Sequence, residues 1–300
     1  MRNQKIIVIN GFQRGGTNIL YNIFQSHPLV CSPINLELGQ IISQNYRLAP
    51  YPKMKLIRFL IKRIKLKFYS FLNTKTVLDT FLIRILGNAL DLLLYSYKKK
   101  EFNNPFNKYK YKNKSYTKDE IKNRILCVKS VHNDIRLTRF LSRFYSDIYI
   151  IGLIRNGYAL CESWIRRGKT AKFSGKRYRK FCMMMINDSQ EIDNYKIITF
   201  EDLISNPFEI ATELYKFAGL KPFTLDKLRF QVKKVLTSKG EHKIIFGRER
   251  AKYWFDSENI SDLLNSNINK IQIEKLSKNE KQNFEKEAKV ILKYFNYLKN

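Results

Sequence analysis

Residues Lys5–Asn10 read KIIVIN, and residues Gly11–Leu20 read GFQRGGTNIL. The first run is apolar and β-branched, which predicts a buried strand. The segment that follows, ILYNIFQSHP, carries a helical pattern running into Pro28. Between them lies a glycine turn with the spacing Gly11-x4-Gly16. A strand, a glycine turn and a helix N-terminus make an anion cradle, because backbone N–H groups point outward and the helix dipole favours negative charge. A nucleoside-triphosphate loop would continue with Lys and then Ser or Thr, to reach the β/γ-phosphates and Mg²⁺. Here Thr17 and Asn18 follow Gly16, and the positive charge stands inside the turn as Arg14. The turn is shaped for a phosphate-like group held by backbone, Arg14 and small polar side chains, with no metal required.

Three further apolar runs have the same character: ILCVKS (125–130), IYIIGLI (148–154) and YKIITF (195–200). They are near-continuous rather than alternating, as strands covered on both faces should be. Helical patterns separate them, including DIRLTRFLSRFY (134–145). After the fourth run, Asn206 is placed to cap a helix, Pro207 fits its first position, Glu209 its third, and Gly219 its end. Phe284, Ala288, Ile291, Leu292 and Phe295 mark one face of a last helix. The order predicts an α/β fold, a doubly wound parallel sheet, as one domain over 1–300.

The stretch 36–120 exceeds a plain crossover. Its segment 51–72 holds seven Lys or Arg and no acid. The next, 77–97, is apolar enough to suggest a membrane span, but it contains Asp79, Arg84 and Asp91. Each charge costs roughly 2.5–3.5 kcal/mol deep in a spanning helix. Two amphipathic helices forming a basic insert or lid are expected, with the basic one suited to an anionic membrane surface. The polar residues 98–118 read as a loop. Over the whole chain, 56 Lys plus Arg oppose 26 Asp plus Glu, a net charge of +30, which predicts anionic partners. The cysteines Cys31, Cys127, Cys161 and Cys182 show no metal-ligand spacing and fit free thiols in a reducing compartment. The short apolar run at the start reads as the first strand rather than a signal peptide.

A second anion site is legible in GLIRNGYALCESWIRRG (152–168). Arg155 ends a buried strand, and Ser163 follows eight residues later on the next helix. A cation at the carboxyl end of a strand and a hydroxyl on the following helix can converge on one anion in the crevice where such sheets bind ligands.

QRGGTNIL after a strand, IIGLIRNGYALCESW and IITFEDLISNP, in that order, resemble the sulfotransferases that use 3′-phosphoadenosine 5′-phosphosulfate, the bacterial and carbohydrate-type members in particular. The similarity covers about 5–40 and 125–220. It implies a P-loop-like fold in which Arg14, Gly15, Gly16, Thr17 and Asn18 bind the 5′-phosphosulfate, and Arg155 and Ser163 the 3′-phosphate. It implies that Lys129 lies near the transferred group. The sequence departs from the family pattern at Gly15 for Ser, Asn18 for Thr, Asn156-Gly157 for Asp-Pro and Phe200 for Tyr. The family's basic C-terminal loop is hinted at only by SKGEHK (238–243).

For the base that accepts the acceptor's proton, Glu37 in PINLELG resembles the position of the catalytic glutamate of carbohydrate-type members. His132, three residues beyond Lys129, is the rival, and a histidine near neutral pKa suits the task. The resemblance implies an enzyme that sulfates a hydroxyl; the basic insert suits a glycan or lipid-linked glycan as acceptor, and the free thiols with that insert suit a cytoplasmic protein, peripheral at the inner face of a membrane. The alternatives are a small-molecule kinase, which would need Mg²⁺ and a loop lysine, and a basic nucleic-acid- or membrane-binding protein. No aromatic-basic RNA motif or zinc spacing supports nucleic acid.

Overall fold

A computed structural model describes residues 4–31, 37–38, nine positions between 84 and 99, 117–221, 226–236, 242–247 and 252–298. Its elements are β1 (Ile6–Gly11), α1 (Thr17–Ser26), β2 (Val30–Cys31), α2 (Lys118–Lys122), β3 (Ile125–Val131), a 3₁₀ helix (His132–Leu137) and α3 (Thr138–Phe144). There follow β4 (Ile148–Ile154), α4 (Gly157–Ile165), α5 (Ala171–Glu191), β5 (Tyr195–Thr199), α6 (Phe200–Ser205) and α7 (Pro207–Phe217). The chain continues with β6 (Leu228–Leu236), β7 (His242–Phe246), β8 (Lys252–Phe255), α8 (Ile260–Leu263), α9 (Ile268–Glu274) and α10 (Lys278–Tyr294).

The first five strands form a parallel sheet in the order β2-β3-β1-β4-β5. The strand order reverses direction at β1. All six residues of β1 are buried, as its unbroken apolar run anticipates. By internal contacts the chain divides into two compact units, Met1–Ile9 with Pro28–Ile150, and Asn10–His27 with Ile151–Asn300. The division falls within β1 and β4.

In the first unit, the Ile6 N–H donates to the Asp147 carbonyl at 3.0 Å. Helix α2 opens with a capping box between Thr117 and Glu120. The buried Lys98 ammonium donates to the carbonyls of Lys122 (3.0 Å) and Arg124 (2.6 Å), and burial pushes its pKa down. The expected helix over 134–145 is instead a 3₁₀ helix followed by α3. Of the basic insert, 51–72 lies outside the described residues; Arg84, Gly87, Asn88, Asp91, Leu92, Leu94, Tyr95, Lys98 and Lys99 are helical.

In the second unit, α5 packs along α10, with Phe284 fully buried between them and its ring tilted against that of Tyr178 at 5.7 Å. A Cβ at Gly175 would stand 2.6 Å from the Phe284 carbonyl oxygen, so this crossing admits only glycine at that position. Helix α7 starts at Pro207 and ends at Gly219 (φ 57°), whose successor Leu220 donates to the Tyr215 carbonyl at 2.9 Å. The Asn206 side chain makes no capping bond, contrary to expectation; its own N–H closes α6 on the Asp202 carbonyl. An antiparallel sheet, β7-β6-β8, follows, which the sequence reading did not foresee. It covers α1, whose Ser26 Oγ and Asn22 Oδ1 accept the N–H groups of Arg229 (2.8 Å) and Gln231 (3.2 Å). His242 and Lys243, part of the supposed C-terminal loop, begin β7; 237–241 lie outside the described residues.

Candidate active site

The turn after β1 is fixed through its carbonyls. The Phe12 carbonyl accepts from the Gly15 N–H at 2.9 Å, that of Gln13 from Trp164 Nε1 at 3.3 Å, and that of Arg14 from Arg155 Nη1 at 2.6 Å. The Gly16 carbonyl accepts from Ile19 N–H at 2.8 Å and so enters α1. In a trans peptide the N–H points opposite the C=O. The Thr17 N–H, opposite the bonded Gly16 carbonyl, and the Gly16 N–H have no acceptor among the described residues. No acidic side chain stands in the first turn of α1. Arg14 is exposed, and its backbone is left-handed (φ 71°). Gly16 is left-handed too (φ 88°), and a Cβ there would lie 2.3 Å from the Phe200 ring. Gly15 and Thr17 are buried and Asn18 half-buried.

Arg155, at the end of β4, is 5% exposed. Its guanidinium lies over the Phe200 ring at 4.3 Å, so Phe200 packs against both the turn and this arginine. Nε donates to Asn269 Oδ1 at 2.8 Å and Nη2 to Gln272 Oε1. No carboxylate forms an ion pair with Arg155 among the described residues. Burial pushes its pKa down to about 10, opposed first by Glu201 and then, more weakly, by Glu162 and Tyr297, with the nearby Arg14 charge adding to the lowering. It stays charged at neutral pH, and two of its five N–H groups make no bond among the described residues. Thus Arg155 joins the turn directly. Ser163 does not contact Arg155: its Oγ accepts a long 3.4 Å bond from Arg166 Nη2.

Several residues here were not singled out from the sequence. Glu162, 4% exposed, pairs with Arg166 one helical turn on and accepts from Gln272 Nε2 at 3.0 Å. Glu201 accepts from the Asn156 N–H (3.0 Å), Tyr297 Oη (2.7 Å) and Asn269 Nδ2. The i,i+4 spacing of Glu162 and Arg166 was readable; the partners from α9 and the C-terminus were not, since nothing local links them to Arg155.

The remaining site residues lie in the first unit. Lys129, 2% exposed, is in β3, and Glu37 forms a parallel bridge with it, so the two residues are side by side in the sheet. His132 follows the strand with φ 53°, which a histidine adopts at some cost, and is 8% exposed. Arg14 and His132 are two of the three non-glycine residues with positive φ among the described residues, and such backbone strain gathers at functional sites. No group of three His, Cys, Asp or Glu placed to hold a metal occurs among the described residues, and none of their helices is long and apolar enough to cross a membrane. The four cysteines are buried thiols.

Residues 6–224 match the model of a protein family described as the sulfotransferase family. A search of curated proteins finds no match. Among solved structures, the sulfotransferase domain from the curacin biosynthetic pathway is 18% identical at a TM-score of 0.46, covering 75% of this chain and 77% of that one. The sulfotransferase domain from the Synechococcus PCC 7002 olefin synthase is 19% identical at 0.45, covering 74% and 76%. A sulfotransferase from Alicyclobacillus acidocaldarius is 10% identical at 0.37, covering 74% and 83%.

Proposed function

The chain belongs to the sulfotransferase family, and from that premise we propose that it moves a sulfuryl group from 3′-phosphoadenosine 5′-phosphosulfate to a hydroxyl of a glycan or lipid-linked glycan. That it is an enzyme of sulfuryl transfer follows from the family; the donor and the acceptor are our reading. The observation that carries the donor is the turn itself. Its carbonyls are bonded within the protein, two N–H groups at the start of α1 are left for an anion, and a buried arginine without a carboxylate partner adjoins it.

In this reading the turn Arg14–Asn18 holds the 5′-phosphosulfate, and Arg155 the 3′-phosphate, with Ser163 nearby on α4. The donor supplies an activated sulfuryl group, whose bond to the leaving phosphate breaks in line as a new S–O bond forms. The leaving phosphate gains charge, which Arg14 and preorganised N–H groups offset. Lys129 neutralises the sulfuryl oxygens. Glu37 accepts the acceptor hydroxyl's proton; its bridge to Lys129 favours it, because base and cation then reach the same reacting centre. His132, near the same strand end, is the second reading for the base. The net charge of +30 supports an anionic acceptor and a peripheral cytoplasmic placement on an anionic membrane. Transfer of labelled sulfate to a panel of surface glycans, with donor and EDTA present, tests the proposal. Product on at least one glycan is expected; turnover only with ATP and Mg²⁺ would point to a kinase instead.

A further inference from the structure

A buried arginine is normally neutralised by a carboxylate, because an isolated charge is costly to desolvate. Arg155 is held differently. Its Nε and Nη2 groups donate to two neutral amide oxygens, Asn269 Oδ1 and Gln272 Oε1, one helical turn apart on α9. Each amide passes its own N–H to a carboxylate: Asn269 Nδ2 to Glu201 and Gln272 Nε2 to Glu162. Both carboxylates are themselves fixed. Glu201 accepts from the Asn156 N–H and Tyr297 Oη, and Glu162 pairs with Arg166. The order is carboxylate, amide, guanidinium, amide, carboxylate, with the amide nitrogens set toward the acids and the oxygens toward the arginine.

We propose that Asn269 and Gln272 are positioning residues that orient Arg155 for an anion while keeping the negative charges of Glu162 and Glu201 one side chain away. The inference rests on the reading that Arg155 binds the donor's 3′-phosphate. A carboxylate in direct contact would take the guanidinium's remaining donors as a bidentate partner and repel an incoming phosphate. The amides leave two N–H groups and the full positive charge for the ligand. They also hold the planar fork in one orientation, which Phe200 supports from its face at 4.3 Å.

The test moves the carboxylate without changing the count of charges. In Gln272→Glu an acid touches Arg155. In the double variant Glu162→Gln with Gln272→Glu, the amide and the acid trade places, so the net charge and the amide–carboxylate hydrogen bond are kept, while Arg166 gives up its carboxylate partner and the melting temperature reads the cost to folding. Binding of adenosine 3′,5′-bisphosphate, donor KM, kcat and melting temperature are measured for wild type, the double variant, Gln272→Glu and Arg155→Ala. The expected result is at least tenfold weaker binding in the double variant, a matching rise in donor KM, kcat within about threefold and a melting temperature near wild type. Wild-type affinity in the double variant, with Arg155→Ala impaired, would overturn the positioning role alone. Undiminished binding in Arg155→Ala would overturn the phosphate assignment and the inference with it.

Discussion

In the second unit, the turn over residues 12–16 is fixed by bonds to four of its carbonyls, a wedge of Phe200 and the side-chain chain from Glu201 through Arg155 to Glu162. In the first unit, the end of β3 presents Lys129, with Glu37 bridged beside it and His132 just beyond. Under the proposed function, one region spreads an anion's charge over backbone and several side chains, and the other assigns each task to a single group. Binding built in the first way tolerates the loss of one contact, whereas proton transfer built in the second way does not. The two regions should therefore answer mutation differently: the first in affinity at Arg155 and in rate at Arg14, the second in rate alone.

The sharpest way to break that contrast is Glu37→Gln. It keeps the side chain's shape and removes its basicity, so kcat should fall by about 10²–10⁴, the usual worth of a positioned base. Adenosine 3′,5′-bisphosphate should bind as before by calorimetry, and His132→Ala should cost much less. A near-normal rate in Glu37→Gln, with His132→Ala inactive yet binding donor, would transfer the role to the histidine.

Within the cradle the two arginines should separate. Arg14→Ala removes a cation from the leaving phosphate and should lower kcat by roughly 10²-fold with a small change in donor KM. Arg155→Ala loses a charge-assisted bond remote from the reacting centre, of about 1.5–3 kcal/mol, so donor KM should rise roughly 10- to 100-fold with kcat little changed. Steady-state kinetics with varied donor decides; equal effects of both on both parameters would dissolve the division. Gly16→Ala is expected to act more mildly. The added methyl meets the Phe200 ring and the backbone is left-handed, which together cost about 1–3 kcal/mol of stability. Its melting temperature should drop, and donor affinity should fall about tenfold.

The contrast also explains what could be read in advance. The strands β1, β3, β4 and β5 showed themselves because strands covered on both faces are written as unbroken apolar runs. β2 is two residues long and carries no pattern of its own. β6 alternates, with Leu228, Phe230 and Val232 buried between polar residues, but Arg229 and Gln231 are buried as well, because α1 supplies acceptors for their N–H groups. That dependence on a distant helix hid the second sheet from a search for continuous runs. The turn was legible because its glycines and Arg14 are neighbours in sequence. The amides of α9 were not, since Asn269 and Gln272 meet Arg155 across more than a hundred residues and look like ordinary helix-surface positions. Phe200 was noted only as a departure from Tyr; its place against both Gly16 and Arg155 shows why an aromatic ring stands there.

The proposed donor carries phosphates at both ends of its ribose and is recognised without a metal. The most direct measurement is calorimetric titration of the full chain with adenosine 3′,5′-bisphosphate in EDTA, alongside a thermal scan. Saturable binding is expected, with stabilisation of roughly 2.7 kcal/mol at ~100 times Kd and at least tenfold weaker binding of adenosine 5′-monophosphate, which lacks the 3′-phosphate. No heat and no melting shift at millimolar ligand, or binding that appears only when Mg²⁺ is added, would contradict it.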